Sequence, residues 1–95
     1  MSAQTIPLAK LRLGHIYITP NALSQLTNKD ILMGIQRHQA GDWGDVGEAD
    51  RQENELSLTQ GLRLLSVYHA TNGTKFWIIT EADRSATTVL LPEDY

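Results

Sequence analysis

Cysteine is absent from this 95-residue chain. Disulfides and thiolate zinc sites are thereby excluded, and packing alone must hold the fold together. Positive charge is scarce: eight Lys and Arg stand against eleven Asp and Glu, for a formal net charge of −3. A general positive field for nucleic acid is therefore missing, and the imbalance is too slight for a DNA mimic. No apolar run approaches the roughly 20 residues that a membrane helix needs. Met1–Pro7 lacks the basic start and apolar stretch of a secretion signal, so a cytoplasmic location is expected. The length leaves room for one hydrophobic core, which makes residues 1–95 a single domain and leaves the oligomeric state open.

Metal-binding spacing is missing as well. His15, His38 and His69 do not follow zinc spacing, and Asp42, Asp45, Glu48 and Asp50 do not follow the alternation of a calcium loop. No metal or cofactor is expected.

What the chain does contain reads as helices followed by strands. Residues 1–10 read as loosely held. Leu11–Thr19 carries the apolar run His15–Thr19 and predicts a strand. Thr19-Pro20 is a good helix start, because Pro fits the first helical position and Thr can cap; that short helix runs through Leu26. Thr27–Asp30 resembles a capping box and opens the clearest helix, Asn28–Gln39, with Ile31, Leu32 and Ile35 as its apolar stripe and Gly41 as its stop. Gly47–Asn54 predicts a short exposed helix, and Leu56–Gly61 leads into the sheet. Leu62–Leu91 predicts an antiparallel meander, with Asn72-Gly73 as a hairpin signal. Alternation puts Leu62, Leu64, Ser66 and Tyr68 on one side of the first strand and Arg63, Leu65, Val67 and His69 on the other; in the second, Phe76, Ile78 and Thr80 oppose Lys75, Trp77, Ile79 and Glu81; in the third, Thr87, Val89 and Leu91 oppose Ala86, Thr88 and Leu90. One face must pack under the helices, and the other has enough polar residues, with an aromatic or two, to be a working surface. The fold class is α+β: two or three helices packed on a three- to four-stranded antiparallel sheet.

Two segments hold more chemistry than their local structure needs. In His38–Asp45, a histidine at a helix C-terminus interacts favourably with the macrodipole in the common case. It can also serve as a general acid or base oriented by Asp42 or Asp45. Trp43 reads first as a plug onto the core. In Thr80–Ser85, Glu81, Asp83 and Arg84 read first as a solvated turn. The two segments are expected to meet, with Arg84 or Arg63 paired to Asp42 or Asp45.

The pattern His38-x-x-Gly41-Asp42-Trp43-Gly44, Asp50, Asn54–Leu58, Trp77–Ser85 and Leu90–Tyr95 is similar to a family of short bacterial proteins borne by plasmids and phages, of unknown function. The likeness spans about residues 34–95 and implies a mobile genetic element rather than a reaction. The leading expectation is thus a non-enzymatic protein that binds a protein partner, such as a host-defence component, in the manner of an anti-restriction or anti-CRISPR inhibitor. Its binding residues would be Asp42, Trp43, Asp45, Tyr68, Trp77, Glu81, Asp83 and Arg84. The alternative is a metal-independent ribonuclease-like or RNA-binding domain of barnase- or RelE-like arrangement. There His38, Arg63, Arg84 and Glu81 would converge on a phosphate, with Tyr68, Thr87 and Thr88 nearby.

Overall fold

The computed structural model describes residues 11–95; the expectation for residues 1–10 lies outside the described residues. Among the described residues there are three α-helices and a four-stranded mixed sheet, an α+β fold. The strands are β1 (His15–Ile18), β2 (Leu64–His69), β3 (Lys75–Thr80) and β4 (Ala86–Leu90), in spatial order β1-β4-β3-β2. The meander is antiparallel as expected. β1, however, lies parallel to β4, with His15 opposite Ala86 and Ile18 opposite Val89, so the sheet is mixed rather than purely antiparallel. The apolar pattern of β1 satisfies either direction. At the start of the strand the His15 amide donates to the Ser85 carbonyl at 3.0 Å.

The helix starts follow local chemistry. Pro20 occupies the first turn of α1 (Pro20–Gln25), and the Thr19 hydroxyl accepts from the Ala22 amide. In α2 (Asn28–Gln39), Thr27 Oγ1 accepts from the Asp30 amide at 3.0 Å and Asp30 accepts from the Thr27 amide at 3.3 Å, a complete capping box. The buried stripe of α2 differs from the expected one. Ile31, Gly34 and His38 are buried and Ile35 is half-buried, whereas Leu32 is 56% exposed. The third helix also differs. α3 spans Glu48–Gln60, 13 residues, and takes in most of the stretch expected to lead into the sheet. Its inward residues are Asn54, Ser57 and Leu58, so its buried side is largely polar and gives a weak periodic signal.

One of the two faces set by alternation is the core. Leu64, Ser66, Tyr68, Phe76, Ile78, Thr80, Thr87 and Val89 are all buried on it. Ala22, Leu26 and Ile31 cover its middle, while Leu11, Leu13 and Trp43 gather around Leu64. Phe76, Leu64 and Ile78, each below 2% exposure, contribute roughly 1.5–3 kcal/mol apiece by leaving water.

The β2 edge is closed by side chain and loop. Asn54 of α3 donates to the Leu65 carbonyl at 2.7 Å and accepts from the Leu65 amide at 3.1 Å, as a neighbouring strand would. Two residues on, Val67 donates to the Trp43 carbonyl and accepts from the Asp45 amide. Gly44 makes this approach possible: at φ 75° with the Val67 carbonyl only 2.1 Å from where its Cβ would stand, no side chain fits. A capped edge cannot recruit another strand.

Candidate functional site

His38 sits in the last turn of α2, yet it does not cap that helix. It is fully buried, with Nδ1 2.6 Å from Ser66 Oγ and Nε2 2.8 Å from Thr80 Oγ1. The proton positions follow from the neighbours. Thr87 Oγ1 donates to the Leu13 carbonyl at 2.7 Å, so its contact with Thr80 at 2.7 Å must be an acceptance. Thr80 thus spends its one hydroxyl proton on Thr87 and accepts from His38 Nε2–H. His38 Nδ1 is then bare and accepts from Ser66. Burial, and second the charge of Arg84, push the His38 pKa from 6.5 down to about 4. Both ring nitrogens are occupied, and Trp43 stands edge-on to the ring at 5.6 Å between centroids. Proton transfer to a substrate would require breaking this sealed network.

The Asp42–Asp45 loop and the Glu81–Arg84 turn do not pair as expected. Asp42 receives Arg37 through two bonds, at 2.7 and 3.2 Å, and Arg37 in turn lies 4.5 Å above the Tyr68 ring. The Arg37 guanidinium holds the Asp42 carboxyl below its ordinary range. Asp45 takes His69 at 3.0 Å, which likewise lowers its pKa. Tyr68 donates to the Asp42 carbonyl, and burial pushes its phenol up to about 12. Trp43 is the expected plug, only 3% exposed, with its indole N–H on Glu55 at 2.7 Å.

Arg84 faces elsewhere. Its guanidinium donates to the carbonyls of Leu62 at 2.6 Å, Ser57 at 2.8 Å, Glu81 at 3.2 Å and Ala82 at 3.3 Å. This clasp ties the β3–β4 turn to the end of α3, where a cation is favoured by the helix dipole. Asp83 accepts from the Ser85 amide, an ordinary turn bond. The separation has a topological cause. The loop runs beside the later half of β2, from Val67 to His69, whereas the turn lies beside residues 62 and 63, before β2 begins.

The remaining polar and aromatic groups converge on the other face of the sheet. There a groove of about 350 Å³ is lined by Asp50, Glu53 and Asn54 of α3, by Arg63, and by Leu65, Trp77 and Ile79 of the strands, with Tyr95 at one side. The C-terminal turn Pro92–Asp94 brings Tyr95 into place. Its Asp94 accepts from Thr19 Oγ1 at 2.6 Å, from Asn21 at 2.8 Å and from the Leu91 amide at 3.0 Å. Tyr95 then meets Trp77 edge-on, with ring centroids 5.8 Å apart. Arg63 donates to the Tyr95 hydroxyl at 2.7 Å and lies 3.7 Å from Glu81.

Of the residues singled out from sequence, Trp77 and Arg63 line the groove and Glu81 borders it through Arg63. Trp43, Tyr68, His38 and Thr87 are interior, and Thr88 lies on the groove's face of the sheet without lining it. Asp50, Glu53, Leu65 and Tyr95 were not selected as site residues. Alternation along the first meander strand already placed Leu65 on the same side as Arg63. The acids of α3 gave no such signal, because a charged helix face is ordinarily just solvated. Among the described residues no group of three His, Asp or Glu could hold a metal, and no helix is long and apolar enough to cross a membrane. No protein-family model, curated protein or solved structure matches this chain.

Proposed function

We propose that this chain is a small non-enzymatic domain that binds a protein partner through the outer face of its sheet. The observation that carries this reading is the groove itself. It is a concave site built from two aromatic residues, three aliphatic ones and a few charges, on a face that α1 and α2 leave uncovered. Aromatic and Arg side chains in a shallow depression are the usual anchors of a protein contact. The burial of His38 supports the non-enzymatic part, since the histidine placed by sequence at the centre of the ribonuclease alternative has no open side. The likeness to plasmid- and phage-borne proteins motivates the wider proposal, that the partner is a host-defence component.

Affinity capture from bacterial lysate tests the reading when run with matched variants. Tyr95→Ala and Arg63→Ala remove the groove wall; Leu32→Ser alters an exposed position of α2 away from the groove. A protein retained by the wild type and by Leu32→Ser, and lost with both groove variants, is the expected result. The same retention by all four proteins would contradict it, as would multiple-turnover RNA cleavage by the purified chain.

A further inference from the structure

We infer that the groove selects a basic side chain: its occupant is an extended partner segment presenting an arginine or lysine between apolar residues. The inference rests on the protein-binding reading above and concerns what that surface recognises. The argument is one of unspent charge. Arg63, the cation of the groove, is already committed to the Tyr95 hydroxyl and lies beside Glu81 and against the Tyr95 ring, 5.4 Å from its centroid. The carboxylates of Asp50 and Glu53 make no hydrogen bond or ion pair with any described residue, whereas Glu48 of the same helix is paired with Arg51 and Glu55 with Trp43. Two carboxylates with no partner among the described residues therefore stand on the α3 wall of the groove, while its one lining cation lies beside Glu81. The floor opposite them is Trp77, Leu65 and Ile79.

An incoming guanidinium or ammonium group would meet carboxylate on one side and the Trp77 ring on the other, the pairing that cations favour. Its aliphatic stem would lie along Leu65 and Ile79, since long basic side chains bury their stems and keep the head polar. An acidic or phosphorylated segment would face repulsion from Asp50 and Glu53 with no free cation to offset it. The net charge of −3 for the whole chain steers in the same direction.

Titration of the isotopically labelled full chain with three capped peptides tests this by NMR. The peptides are Ala-Leu-Arg-Leu-Ala, Ala-Leu-Gln-Leu-Ala and Ala-Leu-Glu-Leu-Ala. The Arg peptide is expected to move the Trp77 indole signal and the amides of residues 50–54, and to bind at least about fivefold more tightly than the Gln peptide, the ratio that a pair of partly screened charge contacts gives. Added salt should shrink that ratio. The double variant Asp50→Asn, Glu53→Gln should bind the Arg peptide no better than the Gln peptide, with an unchanged fold by its amide spectrum. If the Gln or Glu peptide occupies the groove as tightly as the Arg peptide, the selectivity inference fails and the binding groove stands. If no peptide perturbs the groove, or all perturb another surface, the groove reading itself fails.

Discussion

Acid should destabilise this protein through the buried His38. His38 is buried neutral, with its pKa lowered to about 4, first by desolvation and then by Arg84, while the unfolded chain titrates it at 6.5. Between those two values the unfolded state binds the proton that the folded state refuses. Folding stability thus falls as the pH drops from 6.5 toward 4, and is fully present above 6.5. Over the whole window the loss amounts to about 3 kcal/mol, at 1.36 kcal/mol per pH unit, of which about 2 kcal/mol has accumulated by pH 5. Against a total of roughly 5–15 kcal/mol for a small domain, that loss is large. Carboxylates with depressed pKa add to the loss only below about pH 5: Glu48 from an ordinary value of 4.5, Asp42 and Asp94 from 3.8.

Urea denaturation at pH 7.5, 6.5, 5.5 and 5.0 measures the effect directly. With a slope of about 1–2 kcal/mol per molar, the midpoint should fall by roughly 1–2 M between the extremes. His38→Gln is the control: it can still donate to Thr80 and accept from Ser66, and it does not titrate. It should start less stable and show a nearly flat dependence over the same range. A wild-type dependence equal to that of His38→Gln would overturn the assignment, as would a His38 ring signal that titrates near 6.5 in the folded protein.

Three further outcomes follow from the same contacts. Asn54→Ala should cost about 2–3 kcal/mol, because it leaves both the amide and the carbonyl of Leu65 without a partner; faster hydrogen exchange at Leu65 and concentration-dependent association through the uncapped edge would accompany it. Arg84→Ala should lower stability by about 2 kcal/mol, the worth of charge-assisted bonds to partly buried carbonyls; binding lost at an unchanged melting temperature would instead make Arg84 a contact residue. Gly73→Val should cost roughly 1–2 kcal/mol from backbone strain alone, since φ is 86° and nothing stands within 4 Å of the added Cβ; an unchanged denaturation midpoint would show that the hairpin tip tolerates a branched residue.

The legible parts of the fold were those governed by neighbours in sequence. Thr19-Pro20, the Thr27–Asp30 box and Gly73 each fix their own backbone through contacts within four residues, and each stands where the chain predicted. Alternation likewise separated the two sides of each meander strand, though which side is buried depends on the helices that cover it. The less legible parts depend on partners far along the chain. Nothing local distinguishes β1 parallel from β1 antiparallel. Leu56–Gln60 has the apolar alternation of a strand, yet it is helical, and Asn54 fastens that helix to the β2 edge through Leu65. His38 is the instructive case. It stands seven residues after Ile31 on a face that also holds Gly34 and Ile35, so helical spacing already turned it inward. Its polarity argued for a terminal cap because its partners, Ser66 and Thr80, lie 28 and 42 residues away.

That same distance-dependence decides where function can reside. Most of the residues whose polarity stood out in sequence are spent inside the molecule. His38, Thr80 and Thr87 satisfy one another, Arg84 holds carbonyls, Asp42 holds Arg37, and Tyr68 and Trp43 anchor the loop that closes the β2 edge. Two surfaces among the described residues bear on recognition. One is β1, whose residues are all exposed and apart from His15 carry no titratable group other than Tyr17. An uncharged strand edge accepts almost any extended backbone and discriminates poorly. The other is the outer groove, where Asp50 and Glu53 carry charge that no described residue answers, beside half-buried Trp77 and exposed Tyr95. Unanswered charge next to aromatic surface costs affinity with the wrong partner and gains it with the right one, which is what selective recognition requires. On the proposed reading, the unanswered negative charge of the groove favours a basic occupant over an acidic one.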